Sequence, residues 1–382
     1  MTEKLYDNDA FLFNFKANVI KCEKRGEKFL TELDKTAFFP ESGGQFGDSG
    51  TIDGVNILDT QYDGDRIVHI STEPITERKE VLCEVEFEQR FRKMQNHTGE
   101  HIVSSIMHRR FGFNNVGFHL GKDEMTFDFD GEITKEQMAQ VEKEANRIVC
   151  ENVSVRTYYP TENELDAIEY RSKGEVEGKV RIVEIDGVDK CACCAPHVSR
   201  TGQIGIIKIL GFIRYKGGIR IRMLCGLDAL DDFKQRIARE EEISHLLCVP
   251  QSETVRGVKD LTAQNDALKY KNTVLKKELI QKYAEDILTT KKNVCFFKDG
   301  LDMADLREMC NLCAEKCKIF AAFSGDDTNG YLMVIASKTV ALRAIASDIS
   351  TACRGKCGGS DAMLSGRATA KKDEIIIFFE EI

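Results

Sequence analysis

Residues 89–111 read QRFRKMQNHTGEHIVSSIMHRRF, and at this stretch the pattern of the chain changes from strand-like to helical. The stretch has no proline and a single glycine, Gly99, so it predicts one continuous helix. His97 and His101 stand four residues apart, which places both imidazoles on one face of that helix. Taken alone, the pair is a modest signal for a metal site, because many histidines at this spacing are accidental.

The segments on either side of this helix have the short alternating pattern of β-strands. From residue 10 to about 88, segments such as FLFNFKANVI and RIVHIS are separated by glycine, and no helical period is present. They predict a small barrel or sandwich, which we take as an N-terminal β-barrel domain over residues 1–88. After the helix, VSVRTYYP, KVRIVEI and GGIRIRMLCG also predict strands.

A second helix is predicted over ITKEQMAQVEKEANRIVCEN, residues 133–152. Thr134 and Gln137 have the spacing of a capping box at its start. Its apolar face is formed by residues spaced by three and four, namely Met138, Val141, Ala145 and Ile148. Two helices and a mostly antiparallel sheet make residues 89–226 an α+β domain.

The last part of the chain divides into a helical stem and a third domain. Residues 227–290 are polar and helical, with a coiled-coil-like seam formed by Leu261, Asn265, Leu268, Asn272, Leu275 and Leu279. The seam predicts self-association, and a helical hairpin within one chain is the alternative. Residues 291–382 alternate strand-like NVCFF, IFAAFSG, YLMVIAS and EIIIFFEE with helix-like DMADLREMCNLCAEK, and they contain the glycine-rich loop RGKCGGSDAMLSGRA. This mixed α/β region completes an α+β fold.

Composition places the chain among cytoplasmic globular proteins. Apolar residues make up 42% and charged residues 31% of its 382 residues, and no apolar run is long enough to span a membrane. The N-terminus lacks the basic start and apolar stretch of a signal peptide. The 14 cysteines are therefore expected to be reduced thiols, some of them metal ligands.

A second metal-ligand pattern occurs in CACCAPHVSRTGQIG, residues 191–205. There Cys193 and His197 are again four apart, and Pro196 stiffens the loop between them. Together with the helical pair they would supply three nitrogens and one sulfur, a donor set that suits Zn²⁺. Buried thiols beside stray histidines are the alternative.

Two other metal interpretations compete with this one. HTGEH has the H-x-x-E-H pattern of a zinc peptidase, with Glu175 or Glu177 as a third ligand, but that interpretation leaves Cys193 and His197 unused. A thiol group further on, formed by Cys310, Cys313, Cys317, Cys353 and Cys357, would permit an iron–sulfur site. A buried helix face of small apolar thiols is the simpler interpretation of the first three.

Four motifs in order carry a resemblance to a known family: LDKTAFFPESGGQFGDSG, FEQRFRKMQNHTGEHIVSS, CCAPHVSRTGQIG and RYKGGIRIRMLCG. Over roughly residues 5–226 the chain resembles AlaX proteins, which are free-standing relatives of the editing domain of alanyl-tRNA synthetase. The stem and the glycine-rich loop resemble the C-terminal domain of the same synthetase. The chain is thus similar to the long form of AlaX.

The resemblance implies a hydrolase that removes chiefly serine, with glycine as a second candidate, from mischarged alanine tRNA. It places the Zn²⁺ ligands on His97, His101, Cys193 and His197, with Cys194 as a rival sulfur ligand because the usual Cys-Gly-Gly-Thr-His is here Cys-Cys-Ala-Pro-His. The pocket would be lined by the glycine-rich motif and by GFHLGKDEMTFDFD. The substrate-binding candidates are Ser42, Gly43, Gly44, Gln45, Ser104, Ser105 and Thr126.

The expected mechanism is hydrolysis of an activated ester, for which a poised water and oxyanion stabilisation suffice. Four protein ligands usually close a zinc site, so one ligand is displaced, or the ion becomes five-coordinate, or it orients the α-amine of the substrate. Glu100 and His119 are the proton-transfer candidates, and Glu100 is equally a candidate to fix a histidine tautomer.

The partner implied by the resemblance is tRNA, although the net charge of −9 argues weakly against a nucleic-acid binder. A basic strip lies in RYKGGIRIR, for which a solvated hairpin is the alternative. Phosphate contacts are assigned to Arg214, Lys216, Arg220, Arg222, Arg354, Lys356, Gly358 and Gly359, with Lys276, Lys277 and Lys282 on the stem. A homodimer through the stem and C-terminal domain is expected. The competing functions are a zinc peptidase and a noncatalytic tRNA-binding protein with structural zinc.

Overall fold

The computed structural model describes residues 2–77, 80–121, 124–172 and 179–382. The chain forms two compact units, Met1–Glu241 and Glu242–Ile382. Within the described residues both units mix helices with sheets, so the predicted α+β class is confirmed. The finer division at residues 88, 226 and 290 stays a prediction. None of the described helices combines the length and the apolar character that crossing a membrane requires.

The described elements of the first unit are mostly strands. The strands are β1 (Glu3–Lys4), β2 (Asn14–Ala17), β3 (Val19–Arg25), β4 (Lys28–Leu33), β5 (Lys35–Thr36), β6 (Gly50–Ile52), β7 (Val55–Asp63), β8 (Arg66–Ser71), β9 (Val81–Val85), β10 (Asn115–Leu120), β11 (Met125–Phe129), β12 (Val155–Tyr158), β13 (Ile182–Ile185), β14 (Asp189–Ala192), β15 (Ile207–Tyr215) and β16 (Gly218–Cys225). The helices are α1 (Phe87–Phe111), α2 (Lys135–Glu151), α3 (Glu162–Ala167) and α4 (Gly226–Leu247). The boundary between the two units falls near the end of α4.

The N-terminal strands form one seven-stranded antiparallel sheet, in the order β2-β9-β6-β7-β8-β4-β3. Strands β2 and β3 are the two edges of this sheet, yet only Asn18 separates them in the chain. The two edges must therefore meet at Asn18, so the sheet curls back on itself. Apolar residues that alternate along these strands, including Phe15, Ile52 and Val81, fill its interior.

Two helices cover one face of a four-stranded antiparallel sheet of order β10-β11-β16-β15, as predicted. Helix α2 begins at the capping box formed by Thr134 and Gln137, and its four predicted core residues are all buried. Helix α1 passes very close to β16, because a Cβ on Gly99 would lie 2.4 Å from the Cys225 Sγ. Only glycine fits at that position, which explains the single glycine of the opening stretch.

A small antiparallel sheet of order β12-β13-β14 completes the first unit. Strand β14 leads directly into the loop that carries Cys193 and His197. The backbone N–H of Cys193 donates to Arg181 O at 3.0 Å, and the Arg181 guanidinium donates back to the carbonyls of Cys193 and Ala195. These bonds hold the loop in place beside α1.

The second unit is built on a five-stranded sheet of order β17-β18-β19-β21-β20. Its strands are β17 (Val294–Phe297), β18 (Phe320–Asp326), β19 (Gly330–Ala336), β20 (Lys356–Gly359) and β21 (Met363–Ala368). Its helices are α5 (Thr254–Asp286), α6 (Met303–Cys313), α7 (Ala346–Ala352) and α8 (Lys372–Glu381). The predicted helix over residues 302–316 is confirmed in α6, which Asp302 caps through the backbone N–H groups of Ala304 and Asp305.

Two predictions for the second unit are wrong. EIIIFFEE is a helix, α8, and not a strand: Ile375 and Phe379, four apart, are buried, whereas Ile377 between them is 55% exposed. Residues 354–368 do not form an open loop but a hairpin of β20 and β21 at the edge of the sheet. Glycine is needed there because a Cβ on Gly366 would lie 2.0 Å from Lys356 O on the paired strand.

Candidate metal centre

Helix α1 and the loop after β14 bring four side chains together: His97, His101, Cys193 and His197. Each offers one ligand atom, and these atoms all lie within 4.8 Å of one another. The Cys193 Sγ is 3.6 Å from His97 Nε2 and 3.5 Å from His197 Nε2. The three imidazoles are buried, with at most 3% exposure, and Cys193 is partly exposed. The group therefore has the composition and the spacing of a metal site.

Each imidazole has its Nδ1 beside a protein oxygen. His97 Nδ1 lies 3.0 Å from Gln45 Oε1, and His197 Nδ1 lies 3.0 Å from Thr98 Oγ1. His101 Nδ1 lies 3.4 Å from Asp189 Oδ2. Such partners fix the tautomer and the ring orientation of metal-binding histidines, leaving Nε2 for the ion.

His101 supplies a further test of whether a metal fits. Apart from the approach of Asp189, neither of its ring nitrogens has a hydrogen-bond partner in the described part of the chain, although the side chain is fully buried. A buried polar atom without a partner is costly, and a metal ion at Nε2 would satisfy it. Asp189 is itself held by Arg171, through contacts of 2.8 and 2.7 Å. The residues present therefore fit a metal.

The electrostatics of the group favour a thiolate at Cys193 and a neutral imidazole at His197, and they keep a proton on His101 that a bound metal would replace. Burial alone would raise the pKa of the Cys193 thiol, but the His97, His101 and His197 side chains hold that pKa well below its usual range. Burial lowers the pKa of His197 to about 3. Burial also acts to lower the pKa of His101, but Asp189 and Cys193 outweigh it and raise that pKa to about 9. A thiolate and deprotonated imidazole nitrogens are the forms that bind metals.

The two adjacent cysteines point to different surroundings. Cys193 faces the histidines, whereas the Cys194 Sγ lies 3.5 Å from the Ser42 hydroxyl and is absent from the metal-ligand group. Burial raises the pKa of Cys194. Of the two rival sulfur ligands, the geometry therefore favours Cys193.

The glycine-rich motif forms a tight turn beside the group. Ser42 and Gln45 pair across Gly43 and Gly44, which both have positive φ angles of 59° and 80°. A Cβ on Gly44 would lie 2.7 Å from Phe118 O, so the turn packs directly against β10. Gln45, a substrate-binding candidate from the sequence, instead lies beside His97 through its amide oxygen.

The other predicted site residues fall into two places. Glu100 is buried against the group: its Oε1 accepts hydrogen bonds from Ser104 and Asn115, and its Oε2 lies 4.0 Å from His101 Nε2. The Ser105 hydroxyl donates to Val188 O. His119 is not brought to the candidate ligands, because Phe118 is the residue of β10 that contacts the His97 ring, with the ring centroids 4.7 Å apart.

His119 and Thr126 lie together on the outer side of the four-stranded sheet, in register with Arg222. Adjacent residues of a strand point to opposite faces, and the neighbours Met125 and Phe127 fill the core. The proton-transfer assignment for His119 and the pocket assignment for Thr126 therefore find no support in the geometry.

The basic strip is a β15–β16 hairpin with Lys216 and Gly217 at its turn. The sequence suggested cations without carboxylates, but the fold supplies them: Arg220 pairs with Asp128, Arg222 with Glu124 and Arg214 with Glu132. In the second unit Arg354 pairs with Glu374, whereas Lys356, Gly358 and Gly359 are exposed on β20. Lys276 contacts Asp305 at 3.0 Å, and Lys277 and Lys282 are exposed.

The structure does not support the two competing metal interpretations, the zinc peptidase site and the iron–sulfur site. Glu175 and Glu177 lie outside the described residues. The thiols of Cys310, Cys313 and Cys317 belong to one apolar core and Cys353 to another, so they do not form a single cluster. Burial raises the pKa of each of these four thiols. Reduced core thiols are the interpretation that the structure supports.

Comparison with known proteins identifies relatives along almost the whole chain. Residues 180–226, which include the cysteine–histidine loop, match the family described as threonyl and alanyl tRNA synthetase second additional domain. The alanyl-tRNA editing protein AlaX-L of Pyrococcus horikoshii is 25% identical over 98% of this chain and 96% of its own length. Aarsd1-B of Xenopus laevis, also an alanyl-tRNA editing protein, is 28% identical over 95% of this chain and 92% of its own. The chain is a homologue of the long-form alanyl-tRNA editing proteins.

The homology also reaches a synthetase. The alanine–tRNA ligase of Ignicoccus hospitalis is 28% identical over 74% of this chain but only 32% of the ligase. The similarity thus covers only about a third of that enzyme.

Sequence reasoning missed the residues that orient the imidazoles, namely Thr98, Asp189 and Arg171. Thr98 follows His97 directly, but a threonine within a helix more often bonds its own backbone, and here it does that as well, to Met94 O at 2.8 Å. Asp189 lies 88 positions beyond His101 and has no local signal. Only the pairing of β13 with β14 beside α1 brings it there.

Proposed function

We propose that this protein is a zinc-dependent aminoacyl-tRNA deacylase that removes chiefly serine, with glycine as a secondary substrate, from mischarged tRNA(Ala). Support comes from relatives named as alanyl-tRNA editing proteins, which match along more than nine-tenths of both chains. An editing protein for alanine tRNA is expected to hydrolyse the ester bond that joins a wrong amino acid to that tRNA. The reaction takes place in the cytoplasm, where thiols stay reduced.

The observation that carries the proposal is the four-atom donor group with its oriented imidazoles. Three nitrogens and one thiolate in a closed, buried set suit Zn²⁺ better than Mg²⁺ or Ca²⁺, which prefer oxygen ligands. His97, His101, Cys193 and His197 would hold the ion. Zinc supplies Lewis acidity there, either for water activation or for holding the α-amine of the substrate.

The residues of the chain supply the remaining chemistry. Glu100 is the proposed proton acceptor: Ser104 and Asn115 hold its Oε1, and its Oε2 faces the ligand atoms, 4.0 Å from His101 Nε2. The oxygen of a carboxylate held in this way can accept the proton of an attacking water. Burial of the surrounding side chains excludes other water and strengthens each polar contact.

The amino acid is proposed to lie at the Cys193 side of the group, since Cys193 is the one ligand with partial exposure. Ser42 contacts the adjacent Cys194, and the exposed Gly43 and Gly44 follow Ser42 in the turn. A pocket that hydrogen-bonds the serine hydroxyl rejects alanine much better than a size difference would allow.

The tRNA is proposed to contact exposed cations on both units, with Lys216 at the tip of the first unit's hairpin and Lys356 on β20 of the second.

A homodimer through the stem is also proposed, because three seam residues of α5, Leu261, Leu268 and Leu275, are 57–65% exposed. Sedimentation equilibrium of the wild type and of Leu268→Lys tests this, since a dimer through the seam would become a monomer.

The deciding experiment measures release of serine from Ser-tRNA(Ala), with and without a zinc chelator. A deacylase releases serine faster than buffer does, and loses that rate with the metal. Release no faster than in buffer would leave a noncatalytic tRNA-binding protein, and cleavage of peptides instead of the ester would indicate a peptidase.

A further inference from the structure

A cleft of about 590 Å³ lies in the first unit, and its lining includes none of the four candidate ligands. Its lining includes Phe46, Leu58, Arg92, Lys93, Asn96 and Leu120. The volume is in the range of sites that bind small molecules. None of the assignments above gives this cleft a role.

Both walls of the cleft are connected to His97. Asn96 directly precedes it on α1, and Lys93 lies one turn earlier, about 6 Å along the helix axis. On the opposite wall, Phe46 follows Gln45, whose Oε1 is 3.0 Å from His97 Nδ1. The cleft is therefore lined on one side by residues of the helical turn that precedes His97, and on the other by the residue that follows Gln45.

The chemistry of the walls suits a flat, uncharged ligand. Phe46 and Leu58 are 41% and 53% exposed, and the Phe46 ring meets His119 edge-on at 5.7 Å. The cations are already neutralised: Arg92 contacts Glu88, Asp228 and Asp231, each within 2.8 Å. Lys93 donates to Gly47 O and lies 3.6 Å from Asp48. Among the described residues of the lining, a phosphate would find no unpaired cation, whereas a nucleobase would find aromatic and apolar surface.

We propose that this cleft binds the 3′-terminal nucleoside of the tRNA, with the base against Phe46. The aminoacyl ester on its ribose would then cross the Gly43–Gly44 turn, which has no side chains, and reach Cys193. Asp59 and Asp228 in the lining supply acceptor oxygens for the ribose hydroxyls or the base amine. The proposal rests on the proposed function, because it takes aminoacylated tRNA as the substrate.

The test compares the binding of two uncharged tRNA(Ala) molecules, one ending in CCA and one lacking the terminal adenosine. Stacking of one base on an aromatic side chain is worth about tenfold in affinity. The wild type should therefore prefer the CCA end by about tenfold, and Phe46→Ala should reduce that preference to twofold or less. Phe46→Trp should restore it.

The matched control is Phe233→Ala, which removes a 60% exposed phenylalanine from α4 and should leave the preference intact. A wild type that binds both tRNAs equally, or a Phe46→Ala variant with an unchanged preference and an unchanged melting temperature, overturns the site. The measurement needs no hydrolysis. If the wild type hydrolyses Ser-tRNA(Ala) but binds the two tRNAs equally, the nucleoside site in the cleft is refuted and the proposed function stands. If the wild type prefers the CCA end but does not hydrolyse the ester, only the proposed function is refuted.

Discussion

At the scale of single residues, the environment decides which of several similar side chains has which role. Cys193 and Cys194 are adjacent in the chain, yet only Cys193 lies within 3.6 Å of two imidazoles. His97 and His101 point inward from α1, whereas His119, equally plausible from its sequence, is exposed. Residue type therefore identifies candidate ligands, and the direction of each side chain shows which candidates can reach a common metal ion.

Replacing the two cysteines one at a time tests this selection. Cys193→Ser should lower the affinity for zinc at least about 100-fold, because loss of a ligand should cost more than loss of an orienting partner. Cys194→Ser is the matched control and should keep the full metal content. Zinc content after dialysis against a competing chelator measures both, and zinc loss from Cys194→Ser alone would reverse the assignment.

A second prediction at this scale concerns His69, which is fully buried between Thr36 Oγ1 and Thr31 O, each at 2.9 Å. Burial lowers its pKa to about 4, against 6.5 in the unfolded chain, so the unfolded state binds the extra proton. The stabilisation is complete above pH 6.5 and is lost as the pH falls towards 4, by about 3 kcal/mol.

The measurement is the free energy of unfolding from urea titrations between pH 7 and 4. His69→Gln should be less stable at pH 7 but should lose less stability than the wild type over this interval. Parallel curves for the two proteins would show that His69 does not titrate on unfolding.

At the scale of elements, local pattern predicts a helix well when a cap and a periodic face agree. Helices α2 and α6 follow the sequence closely, because each combines an apolar face with a side-chain cap at its first turn, from Thr134 and Asp302. The strand predicted for EIIIFFEE is wrong because a short run of apolar residues fits a buried strand and a helix equally well. Tertiary packing decides between the two, because the segment buries Ile375 and Phe379 in the core beside the sheet and leaves Ile377 exposed.

Two alanine substitutions in α8 distinguish a helix from a strand. Phe379→Ala should cost about 3–5 kcal/mol, because it leaves a cavity in the core. Ile377→Ala should change stability by no more than about 0.5 kcal/mol, since that side chain is exposed. A strand would place residues 375, 377 and 379 on one face, so a large loss for both variants in urea unfolding would contradict the helix.

At the scale of the whole molecule, acidic residues outnumber basic ones, and carboxylates pair with the arginines of the predicted basic strip. The net charge is −9, and several arginines assigned to tRNA are paired with carboxylates that lie far away in sequence. The exposed lysines are thus the best candidates for phosphate contacts, one set on each compact unit.

The salt dependence of tRNA binding tests which lysines make phosphate contacts. Lys216→Ala and Lys356→Ala should each weaken binding and lower the slope of log K against log salt by about 1. Lys276→Ala is the control, because Asp305 already holds that ammonium at 3.0 Å, and its slope should match the wild type. Unchanged slopes for all three would place the tRNA elsewhere.

The sequence by itself determined the candidate ligand types, their four-residue spacings, the two long helices of the first unit and the order of the motifs. These are local properties, set by helical periodicity, capping and the chemistry of imidazole and thiol. Only the tertiary structure decided that Cys193 faces the metal group, that Gln45, Thr98 and Asp189 orient the imidazoles, that His119 turns away, and that the arginines of the hairpin are neutralised. Those outcomes depend on strand register and on contacts between residues many positions apart, which no window of sequence contains.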